Sequence, residues 1–172
     1  LSGTLALVTG VNSGIGFETM RVLALRGAKV IGTARTLEKA EAACAQMSGA
    51  LVPLACELES QDSIRACAIE VSRLGRPLDL CIANAGIMAL PERALVNGVE
   101  KQLATNHLGH FLLVNLLRPQ LESARAARVV VVAELVGATG GVGYQLLQQQ
   151  QLFDMAGALA WTLQLVFFVL IV

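Results

Sequence analysis

The sequence predicts an α/β domain built on a doubly wound parallel sheet with helices on both faces. Two observations point there. Short β-rich apolar runs alternate with longer helical patterns, and a glycine-rich turn follows the first of those runs. The rhythm predicts strands over residues 5–9, 29–34, 51–55, 78–83 and 128–133. Helices fall between them over 14–26, 37–47, 61–74 and 99–121. In the first helix Ile15, Thr19, Val22 and Leu23 share one face, expected to pack on the sheet while Glu18 and Arg21 look outward.

Composition limits the function classes. With 172 residues, 55% of them apolar, the chain can bury one substantial core, and disorder is not the reading. Thirteen basic residues balance thirteen acidic ones, so charge alone attracts neither nucleic acid nor an acidic membrane, and no nucleic-acid role is expected. Cys44, Cys56, Cys67 and Cys81 are scattered singly, which points to small buried thiols in a reducing compartment rather than zinc or a disulfide framework. His107 and His110 lie three apart on a helical pattern without an evident third ligand, so no metal is expected. No signal peptide is visible, though the first residue is Leu1 rather than Met, which leaves an upstream segment open. The expected location is the cytoplasm, or a membrane on its cytoplasmic side.

The glycine-rich turn is Thr9-Gly10-Val11-Asn12-Ser13-Gly14-Ile15-Gly16. Glycine at Gly10 permits a tight exit from the strand, while Gly14 and Gly16 remove side chains where a ligand and a neighbouring strand come close. The amides and dipole of the following helix favour a phosphate, and pyrophosphate is the natural guest. A steric need for glycine in a tight turn is the bland alternative. The position after a first strand, inside a strand-helix repeat, favours a dinucleotide site of the Rossmann type.

These residues resemble the short-chain dehydrogenase/reductase family. Thr9-Gly10-x-x-x-Gly14-Ile15-Gly16 is similar to its cofactor fingerprint, and Asn84-Ala85-Gly86 to its second signature. Asn106-His107-Leu108-Gly109-His110-Phe111 resembles a helix segment of the branch that contains retinol dehydrogenases. The resemblance implies cofactor contacts at Gly10, Asn12, Ser13, Gly14, Ile15, Gly16, Asn84, Ala85 and Gly86. It also implies adenine contacts at Glu57 and Leu58, where the family commonly has Asp before Leu. Asn106 is implied to help order a water in a proton relay, alongside the plain reading of a buried amide satisfying backbone. Arg35 stands where an NAD-selective relative carries an acid. A guanidinium there can pair with a 2′-phosphate, so NADP is favoured over NAD, against the alternative of an ordinary solvated arginine.

The family transfers hydride between a nicotinamide dinucleotide and a carbonyl or alcohol. A Tyr moves the proton, a Ser orients the substrate oxygen, and a Lys four residues after the Tyr lowers its pKa. Here Ala133-Glu134 stand where the strand-end motif usually ends in Ser. Tyr144 is the only tyrosine, Gln148 occupies the lysine position, and no lysine follows Lys101. An unassisted phenol, with a pKa near 10, is phenolate in only about one molecule in a thousand at neutral pH. Tyr144 is accordingly read as a catalytic relic or as a loop aromatic beside Gly140, Gly141 and Gly143.

Residues 1–137 are expected to form the dinucleotide-binding domain, shortened at its carboxyl end, with 138–172 a divergent apolar segment. Between 155 and 172 the only polar side chains are Thr162 and Gln164. Three readings stand for that stretch: a membrane anchor, a buried helix and strand completing the sheet, or non-native sequence. For function, an NADP-linked oxidoreductase with doubtful turnover leads. The alternatives are a nucleotide-binding pseudoenzyme or an interaction module tethered to a membrane through 155–172, and a nonfunctional truncated fragment.

Overall fold

The computed structural model describes residues 1–88 and 90–132. The chain begins with β1 (Leu5–Thr9), α1 (Gly14–Leu25), β2 (Lys29–Ala34), α2 (Leu37–Cys44), β3 (Ala50–Ala55) and α3 (Gln61–Arg73). It continues through β4 (Leu80–Ala83), β5 (Leu95–Val96), β6 (Val99–Glu100), a π-helical segment (Leu103–Leu108), α4 (Gly109–Leu116), α5 (Arg118–Glu122) and β7 (Arg128–Val131). The predicted doubly wound sheet is present, all parallel, in the order β3-β2-β1-β4-β7. Outside 99–121, element ends fall within three residues of the sequence expectation, and β1 and β2 coincide with it.

The sheet is buried on both faces because successive residues of β1 serve opposite layers. Leu5 and Leu7 pack with Ile64 and Val71 of α3 and with Leu113 of α4. Ala6 and Val8 pack on the other side with Met20 and Ala24 of α1 and Ala43 of α2. A strand covered on both faces reads as an unbroken apolar run, as this one does. Each fully buried side chain of the size of Leu7 or Met20 contributes roughly 1.5–3 kcal/mol.

Two local expectations are corrected. The buried face of α1 is Gly16, Met20 and Ala24, whereas Ile15 and Val22 are 66% and 43% exposed. The cause is steric: Gly16 must lie against the end of β1, which fixes the helix rotation and turns Ile15 toward open space. Glu18 and Arg21 do face outward and pair at 2.7 Å.

The single helix expected over 99–121 is three pieces, and its first two residues belong to β6. Asn97 and Gly98, with φ of 51° and 82°, close an antiparallel hairpin between β5 and β6. Paired positive φ values are what a two-residue hairpin turn requires. Glu100 leaves this hairpin as a cap, its two carboxylate oxygens accepting from the amides of Gln102 (2.9 Å) and Leu103 (2.8 Å). Those bonds hold its carboxyl below the usual carboxylate range. The later break at Leu117 precedes Pro119, which cannot donate to a helix ladder.

Candidate functional site

The strand order reverses between β1 and β4: the chain winds out from β1 to β3, then returns to β4 on the other side of β1. Ligands of open α/β sheets bind at such a point, beyond the carboxyl ends of the strands. A crevice of about 420 Å³ lies there. Of the expected cofactor residues, Gly10, Asn12, Ser13, Ile15, Gly16, Arg35, Glu57, Leu58, Asn84, Ala85 and Gly86 line it, and Gly14 does not.

The floor is shaped by what glycine omits. Gly10 has φ +73°, and a Cβ there would sit 2.8 Å from Cα of Ala85. A Cβ on Gly16 would overlap the carbonyl oxygen of Gly10 and the side-chain Nδ2 of Asn84. Strand end, helix start and the turn after β4 therefore meet at backbone distance. The amides of Gly10 and Val11 donate to the Thr33 carbonyl at 2.8 and 3.0 Å, folding the turn over β2. Ser13 is extended at the N-cap of α1 yet makes no side-chain capping bond, and no acidic side chain occupies the first turn. The positive end of α1 thus faces the crevice without an internal anion.

Beside β4, Asn84 is fastened to β1. Its side chain donates to the Thr9 carbonyl at 2.9 Å, and its backbone amide reaches Thr9 Oγ1 at 2.9 Å. The Ala85 amide reaches the same oxygen at 2.9 Å. The other end of this loop is held by Asn106, from the π-helical segment. Its Oδ1 accepts from the Ile87 amide at 2.8 Å while its Nδ2 donates to the Ile87 carbonyl at 2.9 Å. The side chain is committed to backbone, and its own carbonyl lies 2.9 Å from His110 Nδ1.

At the β2 side, Arg35 Nε lies 3.4 Å from Glu57 Oε1. Both side chains are more than a third exposed, so this pair contributes at most about 1 kcal/mol and leaves the guanidinium available to a stronger anion. Lys39 also lines the crevice. Sequence reading missed it, although a Lys four residues after Arg35 in the first turn of a helix was a usable signal. Thr105 and Ile87 were likewise missed; they line the crevice only because the π-helical segment and the loop after β4 converge.

Cys56, Cys67 and Cys81 are buried and Cys44 partly so, all as free thiols. Burial and then neighbouring Cys67 push the Cys81 thiol up to about 12, while a hydrogen bond with Cys67 followed by burial raises Cys56. Both shifts favour the thiol over the thiolate at Cys56 and Cys81. Among the described residues, no group of three His, Cys, Asp or Glu side chains is placed to hold a metal ion. No helix among them is long and apolar enough to cross a membrane. Tyr144, Glu134, Gln148 and the stretch 155–172 lie outside the described residues.

A family model described as "short chain dehydrogenase" matches residues 4–146. A "Probable oxidoreductase" of Streptomyces antibioticus is 46% identical over 140 residues, 77% of this chain and 46% of that protein. "Retinol dehydrogenase 13" of Homo sapiens is 35% identical over 155 residues, 87% of this chain and 47% of its own length. The chain thus spans about half the length of these relatives. Among solved structures, a metagenomic short-chain oxidoreductase in complex with NADP superposes with a TM-score of 0.64 at 30% identity, covering 75% of this chain and 61% of that one. A 3-ketoacyl-(acyl-carrier-protein) reductase from Brucella melitensis complexed with NADH gives 0.62 at 27% identity, covering 71% and 51%.

Proposed function

The chain belongs to the short-chain dehydrogenase family, in its retinol dehydrogenase-like branch, and from that premise we propose an oxidoreductase that binds NADP in preference to NAD. The carrying observation is the cradle at Gly10 and Gly16, which brings the uncapped start of α1 to the floor of the crevice. Backbone amides there suit the pyrophosphate, and no side chain bars its approach. Arg35 and Lys39 on the β2 side would hold a 2′-phosphate, with Glu57 and Leu58 near the adenine. Asn84, Ala85 and Gly86 would border the nicotinamide half.

When bound, the dinucleotide supplies or removes the hydride that interconverts a carbonyl and an alcohol. Asn106 keeps the loop beside that half in place. Tyr144 would be the phenol that gives or takes the proton, and Gln148, four residues on, supplies no positive charge. Turnover is therefore expected to be slow. A second reading is a binding module that holds the dinucleotide without turnover, favoured by Gln148 standing four residues after Tyr144. In both readings residues 1–137 form the dinucleotide-binding unit, and 155–172 could add a contact with the cytoplasmic side of a membrane.

Titrating NADPH by fluorescence and following its oxidation with a panel of aldehydes tests both readings. Saturation with turnover supports the enzyme, and saturation without turnover supports the module. Absence of saturation by either NADPH or NADH refutes the shared premise.

A further inference from the structure

Thr9 and His110 are 101 residues apart in sequence and meet behind the crevice. A hydroxyl oxygen has two acceptor sites and one proton. Thr9 Oγ1 receives the amides of Asn84 and Ala85, each at 2.9 Å, which fills both sites. Asn84 shares its amide with the Ile82 carbonyl at 3.1 Å. The 2.8 Å contact from Thr9 Oγ1 to His110 Nε2 must then be made by the hydroxyl's own proton. The alternative acceptor, the Ile82 carbonyl at 3.5 Å, is too distant to compete.

Nε2 is therefore an acceptor. The other ring nitrogen, Nδ1, lies 2.9 Å from the Asn106 carbonyl, which can only accept, so Nδ1 must bear a proton. Two contacts on opposite sides of the ring demand one and the same form: neutral imidazole protonated at Nδ1. His110 is 3% exposed, so water does not replace either bond.

These bonds close a circuit. Asn106 holds Ile87 through its side chain and His110 through its carbonyl, His110 holds Thr9, and Thr9 holds Asn84 and Ala85. The loop from Asn84 to Ile87 is fixed at both ends, and His110 joins the two fixings. We propose that His110 is a positioning residue for the dinucleotide site, acting as the neutral Nδ1–H tautomer that orients the Thr9 hydroxyl to receive the loop amides. This rests on the reading that the same loop borders the bound dinucleotide.

Long-range proton–nitrogen NMR on the full chain at neutral pH reads the tautomer directly. A protonated Nδ1 with an unprotonated Nε2 is expected, and an Nε2–H tautomer or an imidazolium overturns the proposal. NADPH affinity supplies the functional test. His110→Leu removes the acceptor, whereas His110→Gln places an amide oxygen about where Nε2 stands. The Leu variant should bind NADPH about tenfold more weakly and the Gln variant within about threefold of the unaltered chain, the loss expected for one buried hydrogen bond. The Leu effect should shrink when Thr9 is already Val, because the two residues share one bond. Equal NADPH affinity in all three proteins overturns the role of His110 alone. No saturation of the unaltered chain overturns the dinucleotide reading and this role with it. If His110→Leu fails to fold, the tautomer of the unaltered protein and the affinity of His110→Gln still decide.

Discussion

Asn106 grips the backbone of Ile87 with both ends of its amide, accepting at 2.8 Å and donating at 2.9 Å. Nineteen residues separate the two, so the contact ties the start of the long helical region to the loop after β4. Replacing Asn106 by Leu strands one donor and one acceptor, each worth about 1–3 kcal/mol when buried. Asn106→Leu should lower the melting temperature and weaken NADPH binding together. Asn106→Asp should do nearly as much, because it keeps the acceptor but sets an oxygen against the Ile87 carbonyl. Calorimetry and fluorescence titration check both, and a melting temperature unchanged in Asn106→Leu would dismiss the clamp.

The glycines of the opening turn should differ sharply in what they tolerate. A Cβ on Gly16 meets the Gly10 carbonyl and the Asn84 side-chain Nδ2, so Gly16→Ala must displace the Gly10 backbone and should cost about 1–3 kcal/mol. Gly14 has nothing within 4 Å, and only its φ of +58° opposes a side chain, so Gly14→Ala should cost about 1–2 kcal/mol from strain. The distinguishing readout is the cofactor: Gly16→Ala should lose NADPH affinity beyond its loss of stability, while Gly14→Ala should retain most of it. Equal affinity losses would contradict the close approach.

The sheet was legible because β1 and β2 are buried strands whose short apolar runs recur between longer helical patterns. The crevice was legible for a related reason: Gly10, Gly16 and Asn84 are needed at contact distance, and each leaves a residue-type signature. What failed was local. The rotation of α1 is set by where Gly16 touches β1, and hydrophobic periodicity does not encode that contact. The β5–β6 hairpin was readable, since Asn97-Gly98 between Leu95-Val96 and Val99 is a strong turn signal, but a helical period across 99–121 masked it. The Thr9–His110 contact had no signal in spacing, because it depends on the packing of α4 behind β1.

Cofactor choice gives a third test. Arg35 and Lys39 both line the β2 side of the crevice, and in the proposed complex only the phosphorylated dinucleotide would present them a second anion. Arg35→Asp should weaken NADPH by about tenfold or more, the size of one charge-assisted hydrogen bond, and NADH by much less. Lys39→Ala should act in the same direction with a smaller effect, since a single ammonium offers no bidentate geometry. Raising salt should erode the NADPH advantage in the unaltered chain but not in Arg35→Asp. Parallel losses for NADPH and NADH would remove Arg35 from phosphate recognition.

Acid should weaken the fold first through His110. Burial lowers the pKa of His110 below the ordinary 6.5, against the bond to Asn106, which raises it, and with a smaller lowering from His107. Between the folded value and 6.5 the unfolded chain binds more protons, so stability rises with pH across that window. The contribution is complete above about 6.5 and drains away as pH falls toward the folded value. Glu100 adds a separate loss further down, because its lowered carboxyl pKa gives stability above the ordinary 4.5 that disappears as pH falls through the folded value. The melting temperature of the unaltered chain should therefore begin to fall below about pH 6.5. In His110→Gln that first decline should be absent, leaving only the onset in the carboxylate range. A decline near pH 6.5 that survives unchanged in His110→Gln would assign it to another group and would mean that imidazole protonation does not oppose the folded state.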